Sequence, residues 1–167
     1  SKRYDIYREY ADRLLKEGKA YLAEKLPDAP EGSGQAVILK INPQKIVITD
    51  LIRGQIEFDA AVLKDQVLIK SDGTPTYNFA CVIDDALMHI THVIRGDDHI
   101  SNTPKQIILY EALGMPIPAF AHLPLILATA GGRLSKRKGA TAISEFRSMG
   151  YLPDALVNFL LLLGWSP

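Results

Sequence analysis

The pattern of the chain changes character at Ser71-Asp72-Gly73, and that change limits the fold more than any other feature of the sequence. Before it, β-branched runs at Ala36 to Ile41, Ile46 to Thr49, Gln55 to Phe58 and Gln66 to Lys70 are interrupted by the turn pairs Asn42-Pro43 and Arg53-Gly54. Short runs broken this way predict a small, largely antiparallel sheet. After it, apolar strand patterns alternate with helical ones, as parallel strands joined by helical crossovers require. The predicted order is a helix over 76–87, a buried strand from Ile90 to Arg95, a helix from Thr103 to Leu113, and a strand from Phe120 to Leu127. Pro104 falls in the first turn of its helix and Gly114 just past the end, the two places where these residues suit a helix best. Further helices are predicted near 142–149 and 153–163.

Ahead of the sheet region, Tyr7, Tyr10, Ala11, Leu14 and Leu15 recur at helical spacing over residues 4–17, with Glu9 four residues before Arg13 and Gly18 placed to end the turn. Residues 26–35 collect Pro27, Asp28, Pro30, Gly32, Ser33 and Gly34, a loop composition. With 167 residues, 47% of them hydrophobic, the chain can bury one core, or one core and a small added layer. Basic and acidic residues balance at 19 each, so any nucleic acid partner must meet a local patch, and residues 133–138 supply one. The single cysteine, Cys81, excludes an internal disulfide and a cysteine-built zinc site, and fits a reducing, cytoplasmic setting. The most apolar run, Ala155 to Trp165, is too short to span a bilayer. Ser1-Lys2-Arg3 leads straight into the first helix without an initiator Met or a secretory run, so a trimmed piece of a longer protein is expected.

The most specific string is Arg133-Leu134-Ser135-Lys136-Arg137-Lys138-Gly139, preceded by Gly131-Gly132. A glycine hinge that presents several cations and a hydroxyl suits a polyphosphate on which charge develops during transfer. Charge alone favours a solvated basic loop. The order of residues, however, resembles the lysine-serine-lysine signature loop of class I aminoacyl-tRNA synthetases, in the form used by the glutamate enzymes. The resemblance continues through Ser71 to Ala80, Asp84-Asp85, Thr91 to His99, Asn102 to Gln106, His122 to Leu125 and Gly150 to Leu156, and covers most of residues 50–166. Several ordered motifs at compatible spacing are hard to produce by chance. The chain is thereby similar to bacterial-type glutamyl-tRNA synthetases.

That resemblance implies an α/β fold: the second half of a Rossmann-type parallel sheet, with a small, mainly antiparallel connective insertion and a C-terminal helical segment. The implied division is a first helix in 1–25, the acceptor-end insertion in 26–70, the half-Rossmann unit in 71–130, and the signature loop with the start of a stem-contact layer in 131–167. It also implies activation of L-glutamate by ATP, with Mg²⁺, and transfer to tRNA(Glu). Lys136, Arg133, Ser135 and Arg137 take the catalytic loop positions. Tyr77, Asn78, Phe79, Ala80, Cys81, Arg95 and His99 take the glutamate pocket, and Asp98, Leu125, Ile126, Leu134 and Lys136 approach ATP. Arg95 ends a predicted strand, where a guanidinium can clamp a carboxylate; a surface ion pair with Asp97 or Asp98 is the competing reading. Tyr77 competes with a core tyrosine, Ile126 with plain core, and Cys81 is read as pocket lining, not as a nucleophile.

Two similarities mislead. His89-Ile90-Thr91-His92 resembles the histidine-isoleucine-glycine-histidine signature of class I enzymes, but Thr91 replaces the glycine that lets adenine lie against backbone. A metal site from His89, His92, Asp97, Asp98 and His99 is rejected because two histidines three apart in a strand face opposite ways and cannot share one ion; no zinc is expected. Upstream of this region the family carries its nucleotide signature, a glycine-spaced arginine and an acidic partner for the amino group, and downstream an anticodon-reading domain. None is in this sequence, so the 167 residues alone are expected to be inactive. The cysteine-bearing insertion of many relatives is replaced by the Pro/Gly loop at 26–35. A queuosine-tRNA glutamylating paralogue and a glutaminyl enzyme share the chemistry, and an RNA-binding module does not; the strings at Tyr77 to Cys81 and Arg95 to His99 fit the glutamyl enzyme better.

Overall fold

A computed structural model describes residues 3–23, 34–42, 45–59, 63–126, 142–163 and 165. The first helix, α1 (Tyr4–Lys16), buries Tyr7, Ala11 and Leu14 on one stripe, as the helical spacing predicts. It leads into β1 (Ala20–Leu22), a short strand absent from the sequence expectation. β1 pairs antiparallel with β2 (Val37–Leu39), which pairs antiparallel with a later strand, β5 (Gln66–Ile69).

Between them lies a hairpin. β3 (Lys45–Asp50) alternates strictly, with Ile46, Ile48 and Asp50 buried and Lys45, Val47 and Thr49 exposed. β4 (Gly54–Asp59) returns in full register from Lys45↔Asp59 to Asp50↔Gly54, and Gly54 takes φ +72° at the turn. The expectation of one small sheet over residues 36–70 needs correcting here. The hairpin does not join β1, β2 and β5; it joins β6 (His92–Gly96) and β7 (Ala119–Leu123) in a four-stranded sheet of order β4-β3-β7-β6. β3 meets β7 in parallel at Asp50↔Phe120, and the Leu51 N–H donates to the Phe120 carbonyl at 2.8 Å. Period-two alternation identifies a strand and its inward face, but not the sheet whose edge it will meet.

The parallel part follows the predicted alternation. α2 (Tyr77–Leu87) precedes β6, α3 (Thr103–Leu113) crosses over to β7, and β6 pairs parallel with β7 from His92↔Ala119 to Gly96↔Leu123. α3 is buried around most of its circumference, by Pro104, Ile107, Ile108, Leu109, Tyr110 and Leu113 among others, so it forms the centre of the core against α1 and α2. Gly114 ends it in the left-handed conformation, φ +63°. Its last carbonyls, Leu113 and Ala112, accept bonds from Arg13 and Lys19, cations placed where the helix dipole favours them. α1 is tied to α2 as well: Asp84 accepts from Tyr7 Oη at 2.7 Å and Arg3 Nε at 2.8 Å.

Three further expectations shift. β6 starts at His92 and is not a buried strand: it lies at the edge of the sheet, with Ile94 66% exposed. His89 sits in the turn after α2 at φ +55°, not in a strand, so the facing argument applied to His89 and His92 does not hold. β7 ends at Leu123, before Pro124, which has no N–H to continue the ladder. The final helices, α4 (Ile143–Ser148) and α5 (Pro153–Leu161), appear as predicted, and neither buries a residue. Among the described residues no helix is long and apolar enough to cross a membrane.

Candidate active site

Parallel register places Arg95 of β6 beside His122 of β7, with side chains on one face. Arg95 Nε donates to His122 Nε2 at 3.1 Å, and Nη2 donates to Thr103 Oγ1 at 2.8 Å and to the His99 carbonyl at 3.4 Å. The guanidinium carbon stands 5.3 Å over the Phe120 ring. Burial lowers the pKa of Arg95 from its ordinary value, against the opposing pull of Tyr77, Cys81, Asp85 and Tyr110. Among the described residues no ion pair joins Arg95 to Asp97 or Asp98, and Asp97 pairs with Arg53 at 2.6 Å.

Helical periodicity sorts the string from Tyr77 to Cys81. Tyr77 and Cys81, with Asp85, recur every four residues and form a stripe within electrostatic reach of Arg95. Cys81 Sγ donates to Asp85 Oδ2 at 3.4 Å; burial, then Asp85, pushes the thiol pKa up to about 11, so Cys81 is a poor nucleophile. Tyr77 is 60% exposed. Asn78 instead accepts a bond from Gln106 Nε2 at 3.3 Å, Ala80 packs against the core, and Phe79 is wholly buried there. The string thus gives a stripe and not a continuous wall, and Phe79 has no exposed side chain to offer a ligand.

In open α/β sheets ligands bind outside the carboxyl ends of parallel strands. Both β6 and β7 end on this side, at Gly96 and Leu123. After Gly96 the chain enters a 3₁₀ helix, Asp97–Asn102, that carries Asp98 and His99. A Cβ built on Gly96 would lie 2.6 Å from Asp98 Oδ1 and 3.4 Å from Leu125 Cδ2, so the bare glycine is where Asp98 and Leu125 meet the strand end. Ile126 follows, partly exposed. His99 faces Arg95 through its carbonyl, while its ring lies beside Asp98 and Asn102. A groove of about 650 Å³ lined by Arg8, Asp12, Leu22, Lys70 and Asp72 lies between α1 and the small sheet and contains none of these residues. Convergent polar chemistry, not depth, marks the candidate site. Arg133, Leu134, Ser135, Lys136 and Arg137 lie outside the described residues.

The family model described as "tRNA synthetases class I (E and Q), catalytic domain" matches residues 28–167. The chain belongs to this class I synthetase family. It is 48% identical, over 99% of its length, to a glutamate–tRNA ligase of Oleidesulfovibrio alaskensis, and 45% identical to one of Aquifex aeolicus. A crystal structure of a glutamate tRNA ligase from Elizabethkingia meningosepticum in complex with its amino acid superposes at TM-score 0.81, with 34% identity over the whole chain and 45% of its own. A putative arginyl tRNA synthetase from Campylobacter jejuni, 19% identical at TM-score 0.56, shares the fold. The chain spans 42% of the length of the two curated relatives it matches here.

Sequence reading of this synthetase chain missed Asp50, Thr103 and the role of His122. All three are buried, at 2%, 0% and 1% exposure. A signal existed: Asp50 falls on the inward phase of β3 with Ile46 and Ile48, and a buried acid needs a partner. Tyr110 was not singled out, and Asp85 was quoted in a motif without a role, yet both act electrostatically on Arg95.

Proposed function

We propose that this chain carries part of the ligand crevice of an enzyme that activates L-glutamate with ATP and passes it to the 3′ end of tRNA(Glu). A glutamate carboxylate oxygen attacks the α-phosphorus, the bond to the β-phosphate oxygen breaks, and glutamyl-adenylate and pyrophosphate form. A hydroxyl of the terminal adenosine then attacks the acyl carbon, and AMP leaves. The observation that carries this reading is Arg95: a half-buried cation at the carboxyl ends of two parallel strands, held along one edge, in a chain whose relatives are named glutamate–tRNA ligases. A guanidinium so held favours a carboxylate over a neutral side chain, because the charge-assisted bonds are the stronger ones. Tyr77, Cys81 and Asp85 border that position, which suits a substrate that also bears an ammonium group.

Asp98, Leu125 and Ile126, near the strand ends, are assigned to ATP, and Leu134 is assigned to it on the motif alone. Lys136, with Arg133 and Arg137, neutralises charge on the phosphates as pyrophosphate leaves, and the Ser135 hydroxyl is a hydrogen-bond donor to them. Mg²⁺ supplies further neutralisation of that charge when bound. The basic string 133–138 and the insertion at 26–70 are the segments assigned to the tRNA.

The test is amino-acid-dependent ATP–pyrophosphate exchange in the full-length protein with tRNA present. Glutamate should drive exchange; an equal response to glutamine, or none to glutamate, would remove the reading. Lys136→Ala should slow exchange roughly 100-fold or more while the KM for glutamate stays within about twofold, since the loop acts on phosphate and not on the amino acid.

A further inference from the structure

Four polar side chains are buried among the described residues, Asp50, Thr103, Gln106 and His122, and three of them form one chain that ends on Arg95. It begins at the β3–β4 turn. Asp50 Oδ1 accepts the backbone N–H groups of Ile52, Arg53 and His122 at 3.0, 2.9 and 3.2 Å. Its Oδ2 lies 2.6 Å from His122 Nδ1. On the far side of the ring, Arg95 Nε can only donate, so His122 Nε2 must accept and the ring proton must sit on Nδ1, facing Asp50. Thr103 Oγ1, 3.2 Å from the same Nε2, takes Arg95 Nη2 as well.

This arrangement removes freedom in steps. The carboxylate is locked by three main-chain donors, the imidazole is locked by the carboxylate and by its stack on Phe120 at 6.1 Å, and two bonds fix the guanidinium plane. Apolar side chains of similar volume at positions 50 and 122 would fill the same space without desolvating a carboxylate, and such replacements are often neutral or stabilising. Stability alone therefore does not account for the chain. What it supplies is direction: the Nε and Nη2 groups are engaged from the core, and among the described residues no bond is found to Nη1.

We propose that Asp50 and His122 are positioning residues that set the plane and direction of the Arg95 guanidinium, so that its remaining edge meets the substrate carboxylate already oriented. The proposal rests on the reading of Arg95 as the carboxylate-binding group. Order paid for during folding is then not required again at each binding event.

A mutant cycle in the full-length protein tests it. His122→Gln and Asp50→Asn should each raise the KM for glutamate about tenfold, the scale of one charge-assisted hydrogen bond, with the KM for ATP within about twofold. In an Arg95→Ala background the His122→Gln change should move the KM for glutamate less than about twofold, because the residue it orients is gone. An undiminished effect in that background, or an unchanged KM in the single variants, overturns the proposal while leaving the carboxylate site standing. An Arg95→Ala protein with unaltered KM for glutamate removes the site reading itself, and the proposal with it. Should the variants fail to fold, ¹⁵N chemical shifts of His122 in the unaltered protein still decide: the Nδ1–H tautomer is expected, and an Nε2–H ring would overturn the assignment.

Discussion

Gly96 and Cys81 show how single positions set the chemistry at the sheet edge. Gly96 has ordinary extended backbone, so its role is space and not conformation: a methyl there would meet the Asp98 carboxylate at 2.6 Å. Gly96→Ala therefore has to displace the Asp98 side chain, and is expected to cost about 1 kcal/mol or more of stability. If Asp98 approaches ATP as proposed, the same change should raise the KM for ATP several-fold and leave that for glutamate alone; equal effects on both would place Asp98 elsewhere. Cys81 is legible from sequence as a lone cysteine, but its inertness comes from neighbours. Burial and then Asp85 hold the thiol protonated up to about pH 11. Alkylation by iodoacetamide at pH 8 should run much slower than that of free cysteine, which titrates near 8.5, and Asp85→Asn should speed it.

At the scale of elements, α3 joins the core to the site. Its first residue, Thr103, bonds Arg95, and its last turn is held by Arg13, Lys19 and Gly114. A Cβ at Gly114 would touch nothing within 4 Å, so the cost of Gly114→Ala is backbone strain alone, about 1 kcal/mol. Urea unfolding should show that loss, and a neutral substitution would mean the turn relaxes out of its left-handed conformation. α2 performs a different task with the same periodicity: Phe79, Val82 and Ile83 anchor it, and this anchoring turns Tyr77, Cys81 and Asp85 toward Arg95. Helix type and ends were legible here because Pro104, Gly114 and the apolar spacing are local signals. The runs that became β3 and β4, and the Arg53-Gly54 break between them, were legible, but their sheet was misplaced, since docking onto β7 involves residues seventy positions away.

Across the whole molecule, titration should limit stability from both sides. Burial alone would raise the Asp50 carboxyl, but the Arg53 N–H, the His122 ring and the Ile52 N–H outweigh it and hold it below its ordinary 3.8. Lys19 lowers Glu17 and Thr74 lowers Asp72 in the same direction. Depressed carboxyls bind protons less tightly in the fold than in the open chain, so their contribution is complete above about pH 4 and is lost as pH falls through the folded values. Cys81 works in the opposite sense: its contribution is complete below 9.0 and is lost as pH rises through about 11, with buried Tyr110 raised likewise. Denaturant midpoints measured from pH 3 to 11 should fall at both ends, and Asp50→Asn should flatten the acid limb. The sequence by itself determined the helices, the two strand regimes and the motif strings of the family, because each rests on local spacing or residue order. Only the tertiary structure decided that Asp50 meets His122, that His122 meets Arg95, and that Phe79 belongs to the core. Those partners come from β3, β7, β6 and α2, and a contact between distant segments is selected by packing free energy that no local pattern encodes.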